Sequence, residues 1–165
     1  MQRITVDKRI AKVVVNAGIG RLSQQQSFEE KVLPEIVRDF AAITGQHPAS
    51  RAARKSIAGF KMRQGTVIGL MATLRGRRMM SFVAKINGVV FPRVRDFRGI
   101  NLSAIDADGN LNVGVKDHLV FPELNAELSR VPFGLQITVV PTHRMTDRVQ
   151  ALAFYRALGF PLAKN

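Results

Sequence analysis

The side chains best placed to do chemistry in this 165-residue chain lie between Arg51 and Arg78, in the stretch RAARKSIAGFKMRQGTVIGLMATLRGRR. Eight of them are Lys or Arg and none is acidic. The acid-free window is wider still: the 56 residues between Asp39 and Asp96 hold eleven basic side chains and no Asp or Glu. The chain's average composition would place roughly four acids there. Cations without carboxylate neighbours stay available to an external anion. Ala58-Gly59 and Gly65 divide the basic residues into short clusters, the pattern of an exposed loop. From Thr66 the pattern becomes a strand, with Ile68, Leu70, Ala72 and Leu74 on one face and Val67, Gly69, Met71, Thr73 and Arg75 on the other. A basic loop entering a strand that ends in Thr and Arg suits a polyanion. The polyanion read here is RNA.

Other chemistries fit the sequence poorly. His47, His118 and His143 lie far apart in predicted loops, without ligand spacing or a nucleophile motif, and read as surface residues. Glu29/Glu30 stand at a helix start and Asp106/Asp108 at a turn, so capping and turn chemistry account for both carboxylate pairs. Gly18 and Gly20 follow a strand, but neither the Walker nor the dinucleotide pattern is present. No catalytic constellation is found, and neither a metal nor a cofactor is expected. The absence of Cys rules out disulfides and thiolate metal sites.

The formal charge of +13 and pI near 11.4 fit nucleic acid, an anionic membrane surface or an acidic partner. The charge is lopsided: residues 1–78 carry 15 basic and 5 acidic groups, residues 79–165 carry 10 and 7. The basic residues sit in a glycine-punctuated loop rather than on an amphipathic helix, which argues against a membrane. No run of 18 apolar residues exists, and residues 1–20 lack a signal peptide's apolar segment. The expectation is one intracellular domain over residues 1–165, because no linker or repeat divides the chain.

The elements that must position these side chains follow from periodicity. Lys12 to Gly20 reads as a strand, with Val13, Val15 and Ala17 on one face and Lys12, Val14, Asn16 and Gly18 on the other. Ser27 and Glu30 have capping-box spacing before a helix carrying Val32, Ile36, Val37, Phe40 and Ile43 and stopped by Gly45. Pro34 conflicts with that helix and predicts either a kink or a restart with proline in the first turn. Met79, Phe82, Val83, Ile86 and Val90 mark a second helix that Pro92 closes. Basic, irregular sequence follows to Arg98. Asp108-Gly109 is a hairpin turn before a strand with Leu111, Val113 and Val115. Residues 117–134 read as loop with a short helical piece. Leu135, Ile137 and Val139 form the last strand. Thr146 or Asp147 caps a final helix with Val149, Leu152 and Ala153, ending at Gly159 and Pro161.

This order predicts an α+β two-layer fold: a mainly antiparallel sheet, helices packed on one face, and a long basic loop. The other face would present Asn16, Thr73, Arg75, Asn112, Lys116, Gln136 and Thr138. That face has no aromatic residue to stack single-stranded bases. Hydrogen-bonding side chains with Arg and Lys suggest recognition of a folded RNA through its backbone and shape. Phe60 is the exception, at the loop tip with Ile57; stacking on RNA and folding back as a small core are both open.

The motifs VVVNAGIG at 13–20, ITGQHP at 43–48, RKSIAGFKMRQG at 54–65, ATLRG at 72–76, FPRVRDFRG at 91–99, DGN at 108–110 and VFPEL at 120–124 occur in that order. Together they resemble the bacterial-type L-five family of large-subunit ribosomal proteins, over nearly the whole chain. The resemblance implies a structural, non-enzymatic role on the cytoplasmic ribosome, binding 5S rRNA and attaching it to 23S rRNA in the central protuberance. Asn16, Gln46, Thr73 and Arg75 are the matching 5S rRNA positions; alternation adds Lys12. The loop of Arg54, Lys55, Ser56, Ile57, Ala58, Gly59, Phe60, Lys61 and Arg63 is implied to contact peptidyl-site tRNA. Arg77, Arg78, Arg93, Arg95 and Arg98 are candidates for other rRNA contacts. Neighbouring large-subunit proteins and a small-subunit protein across the subunit interface are the implied protein partners. Two departures stand out: the family's usual N-terminal helical segment is expected to be missing, and the turn and helix from Gly20 to Gly45 look longer than usual. Other readings on the same residues are a free RNA chaperone or regulatory RNA-binding protein and, less consistent with the sequence, an enzyme acting on RNA.

Overall fold

Strand alternation sets the frame of the fold. The computed structural model describes residues 9–60 and 62–163. Five strands, β1 (Ile10–Gly18), β2 (Ala49–Ala52), β3 (Val67–Leu74), β4 (Leu111–Val115) and β5 (Leu135–Pro141), form one antiparallel sheet in the order β2-β3-β1-β5-β4. The helices are α1 (Leu33–Thr44), α2 (Gly76–Lys85), α3 (Phe91–Arg93) and α4 (Arg148–Ala157). This is the expected α+β architecture. The described residues divide into two compact units: 9–14, 73–114 and 137–163 in the first, and 15–72 with 115–136 in the second.

In the first unit, α2 buries Met79, Phe82 and Val83, and the following turn buries Ile86 and Val90, the whole stripe read from the sequence. The helical run from Gly76 ends at Arg93, one residue past the Pro92 read as its close. Residues Ile86–Val90 form a wide π turn in which the Phe91 N–H reaches Ile86 O, and α3 then carries the chain to Arg93. The segment after it is pinned by Phe91 stacked on Phe97, 4.9 Å between centroids.

The hairpin at Asp108-Gly109 forms as an antiparallel bridge between Ile105 and Leu111. Asp106 organises it: Oδ1 accepts the N–H groups of Asp108 and Asn110, and Oδ2 accepts from Asn110 Nδ2. Burial opposes ionisation of Asp106, but these hydrogen bonds hold its carboxyl below the usual range. Asp147, not Thr146, caps α4 by accepting the Val149 N–H. The apolar stripe of α4 differs from the sequence reading. Ala151 and Tyr155 are buried, whereas Val149 is 73% exposed and Ala153 is exposed. Spacing finds apolar residues, but only packing selects which i, i+4 pair turns inward.

In the second unit, α1 buries Ile36, Phe40 and Ile43, while Val32 and Val37 are half-buried. The capping box at Ser27 is not made. Ser27 has φ +57° and its side chain caps nothing. The helix enters instead through a π turn, Phe28–Val32, with the Leu33 N–H bonded to Phe28 O. Pro34 then falls in the first turn of α1, the restart and not the kink. Gly45, at φ +67°, ends α1 with its N–H on Ala41 O.

His118, read from sequence as a surface residue, is 1% exposed and stacks on Phe133 with centroids 4.3 Å apart. The helical piece expected within 117–134 is a single turn, His118–Val120. Burial pushes the His118 pKa below its ordinary 6.5, partly countered by the charges of Asp117, Asp39 and Glu35. Folding therefore favours the neutral ring. This contribution to stability is present above pH 6.5 and is lost as pH falls below it, because the unfolded chain then binds a proton that the folded chain resists. Urea midpoints measured from pH 7.5 down to 5 should fall for the native chain, and His118→Phe should remove that part of the slope.

Candidate nucleic-acid interface

From Lys12 in β1, from Gly69 in β3 and along β5, buried residues alternate with residues that are not. In β1, Val13, Val15 and Ala17 are buried, whereas Lys12, Val14 and Asn16 are half-buried. In β3, Leu70, Ala72 and Leu74 are buried, whereas Met71 and Thr73 are half-buried and Arg75, just beyond, is exposed. Gln136 on β5 and Lys116 after β4 are exposed. The strands thus carry the face expected from alternation.

The polar residues on that face differ in how they are satisfied. In the first unit, Thr138 Oγ1 donates to Asn112 Oδ1 at 2.8 Å, so these two serve each other. Lys12, Thr73 and Arg75, also in the first unit, have no side-chain hydrogen bond or ion pair among the described residues. The same holds for Asn16 in the second unit. Fully buried polar groups find an internal partner; these half-buried or exposed ones make none among the described residues. Gln46, in the second unit, is half-buried after α1. Its N–H is accepted by Thr44 Oγ1 at 3.3 Å, which fixes the turn and leaves the carboxamide outside this network.

At the start of the basic stretch lies the edge strand β2, missed from sequence. Ser50 pairs with Leu70 and Arg51 with Gly69 in antiparallel register. Ala53, 5% exposed, takes the Thr66 O with its N–H and gives its O to the Gly65 N–H. Higher up, Ile57 bridges Met62, and Ser56 Oγ accepts the Gln64 N–H at 2.9 Å. Gln24 Nε2 donates to Phe60 O at 2.7 Å, a tie from the turn after β1 that no local sequence signal announces. Arg54, Lys55, Ser56, Ala58, Gly59 and Arg63 are exposed or half-exposed on its outer surface. Phe60 is 64% and Ile57 46% exposed, so Phe60 does not fold back into a core of the loop. Lys61 lies outside the described residues.

Arg77, Arg78, Arg93, Arg95 and Arg98 are all exposed in the first unit, with no acidic partner among the described residues. No group of three or more His, Asp or Glu among the described residues is arranged to hold a metal, and no described helix is long and apolar enough to cross a membrane. The arrangement is a set of cations and unpaired hydrogen-bonding groups, suited to binding rather than to bond chemistry.

Comparison with known proteins decides the family. Residues 4–63 match the family model of ribosomal protein L5, and residues 67–162 match the model of that ribosomal family's C-terminus. The chain belongs to the ribosomal protein L5 family. It is 42% identical over 163 residues to the large ribosomal subunit protein uL5 of Thermus aquaticus, covering 99% of this chain and 86% of that one. The uL5 of Halothermothrix orenii is 41% identical over 97% of this chain and 86% of its own. The uL5c of Guillardia theta is 38% identical over 95% of this chain and 83% of its own. The L5 family is one of structural, non-enzymatic ribosomal proteins. Its two models meet between Arg63 and Val67, where the basic loop passes into β3.

Proposed function

We propose that this chain is a large-subunit ribosomal protein that binds 5S rRNA through the open strand positions Lys12, Asn16, Thr73 and Arg75, together with Gln46, and helps attach it to 23S rRNA. The observation that carries this reading is the unpaired state of Asn16, Thr73 and Arg75, beside the mutual pairing of Asn112 and Thr138. The loop from Arg54 to Arg63 contacts peptidyl-site tRNA, with Phe60 and Ile57 offering apolar surface at its tip. Arg77, Arg78, Arg93, Arg95 and Arg98 add phosphate contacts to rRNA, and further contacts reach a small-subunit protein. Co-sedimentation tests the assignment. A structural ribosomal protein is expected near-stoichiometric with large subunits and retained in moderate salt; a free RNA chaperone would sediment substoichiometrically and wash off.

The loop and the strands are separable. Replacing Lys55 and Lys61 together with Gln is expected to leave 5S rRNA affinity nearly unchanged while impairing tRNA-dependent translation. Filter binding and a translation assay on the same variant check this. An equal loss of both would place the loop in the 5S site.

A further inference from the structure

We propose that the first unit holds a second anion site, a pocket beside the start of α4 that takes a phosphodiester group of RNA. The cavity has a volume of about 470 Å³ and is lined by Arg98, Gly99, Asn101, Ser103, Arg148 and Ala163 among others. Its wall is built by backbone. Ile100 N–H donates to Pro161 O at 2.7 Å, and Ala163 N–H donates to Ile100 O at 2.9 Å. Gly99 stands against that wall at φ +101°, where a Cβ would lie 2.7 Å from Ala163 N. A side chain there would have to displace the backbone that closes the pocket, so glycine is required.

The polar lining consists of donors. Asn101 Oδ1 is already used by the Ser103 N–H at 3.0 Å, which leaves the Asn101 amide hydrogens and the Ser103 hydroxyl free to bind outward. Arg98 and Arg148 come from separate segments and have no acidic partner among the described residues. No Asp or Glu lines the cavity. Of the nearest acids in sequence, Asp147 is occupied in capping α4 through the Val149 N–H, and Asp96 is exposed. Two arginines and two neutral hydrogen-bonding side chains lining one pocket without a carboxylate suit a tetrahedral, four-oxygen anion better than a planar carboxylate, which one arginine satisfies bidentately. The sequence hid this site, because Arg148 reads only as the first residue of a capped helix and lies far along the chain from Arg98.

This inference rests on the RNA-binding reading above and shares Arg98 with it, but Arg148 and the pocket backbone are new, so the two can fail separately. The experiment uses the full chain with oligouridylate and, in a parallel arm, oligoglutamate, followed through the amide resonances of Gly99, Ser103 and Ala163. Saturable shifts with oligouridylate are expected, with affinity about tenfold weaker or less in Arg98→Gln/Arg148→Gln. The salt slope of that binding should flatten by up to about one unit, as one phosphate fewer is neutralised. Arg148→Gln alone, at a residue outside the rRNA contacts proposed above, should leave 5S rRNA affinity near native and the unfolding midpoint unchanged. Native 5S rRNA binding without oligouridylate shifts at these amides would overturn the pocket and leave the RNA reading intact. Equal shifts with oligoglutamate would overturn it in favour of an acidic protein partner.

Discussion

Asn16→Ala or Thr73→Val is expected to weaken 5S rRNA binding by about 1–3 kcal/mol while the dependence on salt hardly moves. Both side chains are half-buried on open strand positions and make no internal hydrogen bond among the described residues. If folded RNA supplies their partners, removing either group leaves a desolvated RNA atom unpaired. Neither group is charged, so neither can release counterions. Arg75 and Lys12 can, and replacing either with Gln should flatten the slope of log affinity against log salt by nearly one unit for each phosphate no longer neutralised. Affinity measured at several salt concentrations for both classes of variant separates hydrogen-bond recognition from electrostatic attraction. Native-like binding by the Asn16 and Thr73 variants would mean that these positions are solvated surface and that the basic loop carries the RNA site.

Tyr155→Ala is expected to cost about 3–5 kcal/mol of folding stability, the range for truncating a fully buried aromatic. Tyr155 is wholly buried, with Phe154 and Phe160 edge-on at 5.1 and 5.7 Å. Its hydroxyl donates to Gly109 O at 2.7 Å, with Val139 O at 3.1 Å. One residue of α4 thereby fastens both the Asp106 turn and β5. Burial pushes the phenol well above its ordinary pKa of 10, so it stays a donor at any working pH. Tyr155→Phe isolates the hydroxyl and should cost about 1–3 kcal/mol, because two buried carbonyls lose a donor. Urea unfolding of both variants tests this. A phenylalanine variant as stable as the native chain would show that the ring alone matters. Neither change should alter RNA affinity of the folded protein, since Tyr155 reaches no open strand position.

Local rules made much of the fold and of the site legible. Alternation in β1 and β3 assigned Asn16, Thr73 and Arg75 to the face opposite Val15, Ala72 and Leu74, because successive side chains of a strand must point to opposite sides. The stripe from Met79 to Val90 was complete for the corresponding reason at helical period. The missing acids between Asp39 and Asp96 marked the cationic stretch, since its charges have no carboxylate close by along the chain.

What escaped was decided by partners distant in sequence. β2 is an edge strand whose exposed Ala-Ser-Arg-Ala carries no alternation; only pairing with β3 defines it. The π turns Phe28–Val32 and Ile86–Val90, just ahead of Pro34 and Pro92, are a backbone register that side-chain periodicity does not encode. His118 is buried because Phe133, fifteen residues on, stacks over it. Tyr155 is buried because Gly109 and Val139 offer it carbonyls. Composition and periodicity picked out the candidate residues for RNA. Long-range packing determined which of them, such as Asn112 and Thr138, are consumed internally and which, such as Asn16 and Thr73, are left with unpaired polar atoms, because a hydrogen bond is settled by distance in space and not along the chain.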